Sequence, residues 1–81
     1  MIEKTTLTLF TRKGCHLCVK AKEVIEELQE NLDFIYEEQD IEKKDEWTEK
    51  YGLMIPVVTV NGNEVQFGYI DKITLSKALA R

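Results

Sequence analysis

The chain carries only two cysteines, and they stand three positions apart in Cys15-His16-Leu17-Cys18. Two thiols at that spacing can approach closely enough to close a disulfide. The thiolate is the attacking species in such chemistry, and an ordinary cysteine with a pKa of about 8.5 is only ~3% ionised at pH 7. A pKa of about 6 would raise that share to ~90%. The rate gains less than the population does, because nucleophilicity falls as the pKa falls. Cys15 is read as the attacking sulfur and Cys18, one turn further on, as the resolving one. His16 lies beside Cys15. A protonated imidazole there would stabilise the thiolate; the bland alternative is a ring pointing into solvent. A Cys-x-x-Cys pair is also half of a zinc site, but such a site normally needs four ligands. No second pair follows, and adjacent Cys15 and His16 are poorly spaced to share one tetrahedral ion. No metal site is therefore expected.

The flanking residues say where the pair sits. Thr6-Leu7-Thr8-Leu9-Phe10-Thr11 alternates polar and apolar as a half-buried strand does, predicting a strand over residues 5–11. Ala21, Val24, Ile25, Leu28 and Leu32 then recur at helical spacing, predicting a helix from Leu17 to Leu32. The first sulfur thus falls at a helix N-terminus, where unpaired N–H groups and the helix dipole favour negative charge. Downstream, residues 34–40 read as a second strand and residues 43–51 as a short helix. Trp47 and Tyr51 share one face of that helix, Trp47 as a packing residue, and Gly52 ends it. A strand over residues 56–60 is followed by the turn pair Asn61-Gly62 and a returning strand over residues 64–67. Asp71 can cap a last helix whose inward residues are read as Ile73, Leu75 and Leu79. The order β-α-β-α-β-β-α predicts an α/β fold, a four-stranded mixed sheet flanked by three helices, which is the minimal thioredoxin-type architecture.

At 81 residues the chain is read as one domain spanning 1–81, with a modest core. Its net charge of −4 argues against nucleic acid or an anionic membrane as a partner. The charges are unevenly spread. From Lys4 to Lys22 every charged residue is basic (Lys4, Arg12, Lys13, Lys20, Lys22), while acids gather at Glu37, Glu38, Asp40 and Glu42. That places a positive field around the cysteines, unless the pattern serves only solubility. No stretch approaches the roughly 20 apolar residues that span a bilayer, and the first residues hold no apolar signal-like run. A cytoplasmic monomer is expected, and there a close cysteine pair is redox-active or metal-binding rather than a structural staple.

From end to end the chain resembles the glutaredoxins. Leu9-Phe10-Thr11-Arg12-Lys13-Gly14-Cys15-His16-Leu17-Cys18 is similar to that family's strand, basic residue and Cys-x-x-Cys. Tyr51-Gly52-Leu53-Met54-Ile55-Pro56-Val57-Val58 is similar to its approach to a cis-proline, and Gly68-Tyr69-Ile70-Asp71 to its glycine-plus-acid segment. The Cys-His-Leu-Cys form is most like that of small bacterial glutaredoxin-like proteins. The resemblance implies that Pro56 is cis and that the backbone of Ile55 pairs with an extended substrate. It implies that Arg12, or Lys13 in its place, holds a glutathione carboxylate, and that Gly68 and Asp71 complete the site. Phe67 stands where the family has the first glycine of its pair, and Met54-Ile55 where it has Thr-Val. The residues alone also allow a trans Pro56 opening an edge strand, solvated Arg12 and Lys13, an Asp71 that only caps a helix, and Tyr69 either beside the groove or simply on the surface.

The expected function is a dithiol thiol–disulfide oxidoreductase acting on protein or low-molecular-weight disulfides through Cys15 and Cys18. Electrons would come from glutathione or a flavoprotein reductase. No tightly bound cofactor is expected, and glutathione is a candidate co-substrate. Two rivals belong to other classes: an iron–sulfur carrier using Cys15 and glutathione in a dimer, and a redox-inert module that holds a peptide beside Pro56.

Overall fold

The computed structural model describes residues 5–80, so Lys4 lies outside the described residues. The elements are β1 (Thr6–Thr11), α1 (His16–Gln29), β2 (Ile35–Asp40), a 3₁₀ turn (Ile41–Lys43), α2 (Asp45–Tyr51), β3 (Val57–Val60), β4 (Asn63–Phe67) and α3 (Lys72–Leu79). The sheet order is β2-β1-β3-β4, with β1 parallel to β2 and the other neighbours antiparallel. The expected element order and mixed four-stranded sheet are thus present. No helix of the described residues is long and apolar enough to cross a membrane.

The period-two alternation of β1 sorts its side chains onto the two faces of the sheet. Leu7 and Leu9 join Ala21, Ile25 and Leu28 of α1 and Leu75 and Leu79 of α3 in the larger core. Phe10 points the other way, into a second cluster with Ile41, Tyr51 and Val57. The antiparallel register repeats this sorting on β3. Leu9 faces Val58 and Leu7 faces Val60 on the first side, and Phe10 faces Val57 on the second. All four residues of β3 are buried. With α1 and α3 over one face and α2 over the other, β1 is held from both sides at the strand end that carries the cysteines.

Trp47 and Tyr51 of α2 both pack against Phe10, Trp47 edge-on and Tyr51 tilted, with ring centroids 5.3 and 4.6 Å from it. The hairpin turn is a two-residue loop in which Asn61 (φ 52°) and Gly62 (φ 86°) are both left-handed, as a primed hairpin turn requires. Asn61 also ties the turn to β1. Its Oδ1 accepts the Thr6 N–H at 2.9 Å, and its own N–H donates to the Thr6 carbonyl at 2.8 Å.

Several boundaries differ from the sequence reading. The apolar spacing runs on to Leu32, but α1 ends at Gln29 and continues only as a turn, in which the Leu32 N–H donates to the Leu28 carbonyl at 2.8 Å. No basic residue stands in its last turn, and Glu27 and Glu30 add negative charge where the helix dipole is already negative. Phe34 belongs to the core rather than to β2, and residues 41–43 form their own turn before α2. Ile73 is exposed, not inward. It lies two residues before Leu75, about 200° around the helix axis, so it cannot share a face with Leu75 and Leu79.

Candidate functional site

The loop after β1 delivers Cys15 to the start of α1. Gly14 takes φ 78°, and the Cys15 N–H closes the turn onto the Arg12 carbonyl at 3.3 Å. A side chain at Gly14 would meet nothing within 4 Å, so only the backbone conformation demands glycine. Gly14→Ala should therefore cost about 1–2 kcal/mol, the penalty for a left-handed L-residue, measured by urea unfolding. A cost near zero would show that the loop relaxes to another conformation.

Cys15 itself is the N-cap of α1, with φ −87° and ψ 109°, and its Sγ accepts the Cys18 N–H at 3.1 Å. The sulfur thus fills the position that a serine or aspartate oxygen usually takes, at the positive end of a 14-residue helix. The first turn holds no acidic residue to oppose a negative charge there. Cys15 and Cys18 are joined by a disulfide, their Cα atoms 5.2 Å apart. Exposure separates the two sulfurs: Cys15 is half-buried and Cys18 is 5% exposed. One is open to a partner, and the other is nearly covered.

A cleft of about 620 Å³ opens beside the pair. Its near wall is Arg12, Lys13, Cys15, His16 and Cys18. The far wall brings Lys22 from α1, Glu38 and Asp40 from β2, and Lys43 from the turn that follows. Glu38 is engaged by the Lys22 ammonium at 3.3 Å and by the Tyr36 hydroxyl at 3.1 Å. Burial, and then the Glu38 charge, raise the Tyr36 pKa above its ordinary value, so its hydroxyl stays a donor. Asp40 accepts the Glu42 N–H at 2.9 Å. The far-wall residues escape a reading of the sequence near the cysteines. They arrive through the parallel register, which sets Thr11 beside Asp40 and so joins the C-terminal ends of β1 and β2. The signal that could have found them is the general placing of sites at the C-terminal ends of parallel strands.

The remaining residues named from sequence lie apart from that cleft. The Ile55–Pro56 bond is cis and Pro56 is buried. The Gly68 N–H donates to the Met54 carbonyl at 3.1 Å and the Pro56 carbonyl at 2.8 Å, which holds the proline loop against the end of β4. The Ile55 N–H is already donated to the Tyr51 carbonyl at 3.1 Å, so it is not open to an incoming strand as it stands. Gly68 lines a second, smaller cleft with Leu17, Tyr69 and Ile70.

Asp71 is the N-cap of α3: its Oδ2 accepts the Thr74 N–H at 2.9 Å and the Thr74 hydroxyl at 2.7 Å. These bonds hold its carboxyl below the ordinary value of 3.8. A depressed folded-state pKa gives stability that is present above the unfolded value and lost as the pH falls through the folded one. Asp71→Ala should accordingly lower Tm by about 5 °C at neutral pH, with the gap to wild type closing as the pH drops below about 4. Thermal melts at several pH values check this; a gap independent of pH would remove the carboxylate from the explanation.

A family model described as a glutaredoxin-like domain (DUF836) matches residues 6–80. Among solved structures, the solution NMR structure of a Nitrosomonas europaea protein aligns with a TM-score of 0.83 at 25% identity, covering 98% of this chain and 95% of that one. An X-ray structure of an X. campestris protein aligns at 0.77 and 28% identity, covering 91% and 95%. A mutant thioredoxin from Halobacterium salinarum NRC-1 aligns at 0.72 and 22% identity, covering 95% of this chain and 73% of that one. The last of these speaks to the fold alone, and the fold is thioredoxin-like.

Proposed function

The chain belongs to the glutaredoxin-like domain family (DUF836), and on that premise we propose that it is a dithiol thiol–disulfide oxidoreductase. The observation that carries the reading is the Cys15 sulfur at the N-cap of α1, accepting the Cys18 N–H and bonded to a second, buried sulfur. An N–H donor and the helix dipole both favour the thiolate over the thiol.

In the reduced protein the Cys15 thiolate attacks one sulfur of a substrate disulfide, whose S–S bond breaks and releases one thiolate. Cys18 then gives up its proton and attacks the Cys15 sulfur. The mixed disulfide breaks, and a second substrate thiol departs. Two electrons pass from the two protein thiols to the substrate, and the protein is left with its internal disulfide. A thiol pool such as glutathione, or a flavoprotein reductase, returns it to the dithiol form. The exposed Cys15 suits the first attack, and the buried Cys18 suits a nucleophile that should meet only the intermediate. A reducing compartment such as the cytoplasm is the setting in which this cycle runs in the reducing direction.

Turnover of hydroxyethyl disulfide and of a protein disulfide, with dithiothreitol as electron source, tests the proposal. Acceleration over the dithiothreitol background is expected for at least one of them. Rates equal to background for both would leave the fold without this activity.

A further inference from the structure

Cys18 lines the open cleft beside Cys15 and yet is only 5% exposed. Helix geometry names a neighbour that can stand over it. Lys22 is four residues further along α1 and so lies on the same face as Cys18. Helical side chains tilt toward the helix N-terminus, and each covers the turn before its own. The Lys22 stem is therefore directed over Cys18. A long lysine stem packs on what it covers while its ammonium reaches a polar partner. The Lys22 side chain is half-buried, in keeping with that placement.

The far end of the stem is held. Its ammonium meets Glu38 at 3.3 Å, and Glu38 also accepts the Tyr36 hydroxyl at 3.1 Å. In the parallel register Tyr36 stands level with Leu7 and Glu38 with Leu9, so both point to the sheet face that α1 covers. Tyr36 packs against the larger core there, which fixes its hydroxyl. The series Tyr36–Glu38–Lys22 thus ties α1 to the edge strand β2 along the wall of the cleft. None of the three takes part in the exchange steps written above. We infer that Lys22, anchored by Glu38 and Tyr36, is a strap over Cys18 that keeps outside disulfides and electrophiles from the resolving sulfur while Cys15 stays open. Its use rests on the oxidoreductase reading, because the two-step exchange needs the substrate to load on Cys15 and not on Cys18. Lys22 is a positioning residue in this account and touches no reacting atom of the first attack.

The test uses the Cys15→Ser protein, in which Cys18 is the one remaining thiol. Its alkylation by iodoacetamide is followed by intact mass; the reagent's carbon bonds to the Cys18 sulfur and iodide leaves. Rates over a range of pH give the thiol pKa and the limiting rate of the thiolate separately. Loss of a cover raises the limiting rate, whereas loss of a nearby charge moves the pKa. Glu38→Gln weakens the anchor but leaves the stem, and should raise the limiting rate by up to about fivefold, the weight of an exposed ion pair. Lys22→Ala removes the stem as well and should raise it further, while Lys22→Arg should keep the parent rate. Lys72→Ala breaks another ion pair of α1, the one between Lys72 and Glu27 at 3.3 Å, and reports what loosening the helix alone does; no change is expected. A limiting rate unmoved by Lys22→Ala, or raised equally by Lys72→Ala, overturns the strap. Turnover of hydroxyethyl disulfide by the protein with both cysteines tests the oxidoreductase reading by itself, so the failure of one is not mistaken for the failure of the other.

Discussion

Cys15→Ser should abolish disulfide reduction, a loss of at least about a thousandfold in rate, as expected when the nucleophile of the first attack is removed and the remaining thiol is buried. The substitution is a clean one on structural grounds. Cys15 is the N-cap of α1 and its Sγ accepts the Cys18 N–H. Serine is among the favoured N-cap residues, so its oxygen can take over that bond and the helix start is kept. Lost activity in a protein that melts near the wild-type temperature would therefore report chemistry and not unfolding. Full activity in the same protein would remove Cys15 from the mechanism.

Cys18→Ser should behave differently. Cys15 can still attack, but the buried group that would release the intermediate has lost its sulfur. Incubation with a disulfide should leave a stable mixed disulfide on Cys15, seen as a mass increase of one substrate half and removed by dithiothreitol. Turnover should fall steeply for substrates that depend on internal resolution. The folding cost is modest. A hydroxyl at this 5%-exposed position costs about 1 kcal/mol if it finds a partner, against a total stability of roughly 4–12 kcal/mol for a chain of this size. A Cys18→Ser protein that forms no adduct and turns over normally would mean that Cys18 does not resolve the intermediate.

What could be read from sequence was mostly local. The alternation of Leu7, Leu9 and Phe10 already sorts two faces of one strand, and both core clusters follow that sorting. Asn61-Gly62 names its own turn, because few other pairs adopt two left-handed conformations in succession. Cys15 at a helix mouth needs only the strand before it and the helix after it. Ile73 is apolar yet exposed, because its angle around α3, not its residue type, decides which face it takes.

The site was legible on one wall only. Arg12 and Lys13 are neighbours of Cys15 in sequence, whereas Glu38, Asp40 and Lys43 reach the cleft through the β1–β2 register, which hydrophobic patterning does not specify residue by residue. Asp71 illustrates a different gap. A carboxylate three residues after a glycine serves a ligand or a helix start equally well on paper, and the Thr74 bonds show that Asp71 caps α3.

Everything proposed here requires that Cys15 and Cys18 exchange reversibly between dithiol and disulfide. The direct measurement is equilibration of the protein in a series of glutathione redox buffers, followed by acid quenching and intact-mass analysis. The expected result is one transition between the full dithiol and a species lighter by two hydrogens, with its midpoint inside the buffer series. Thiols that persist across the series, or glutathione adducts that accumulate on both cysteines with no internal bridge, would contradict it.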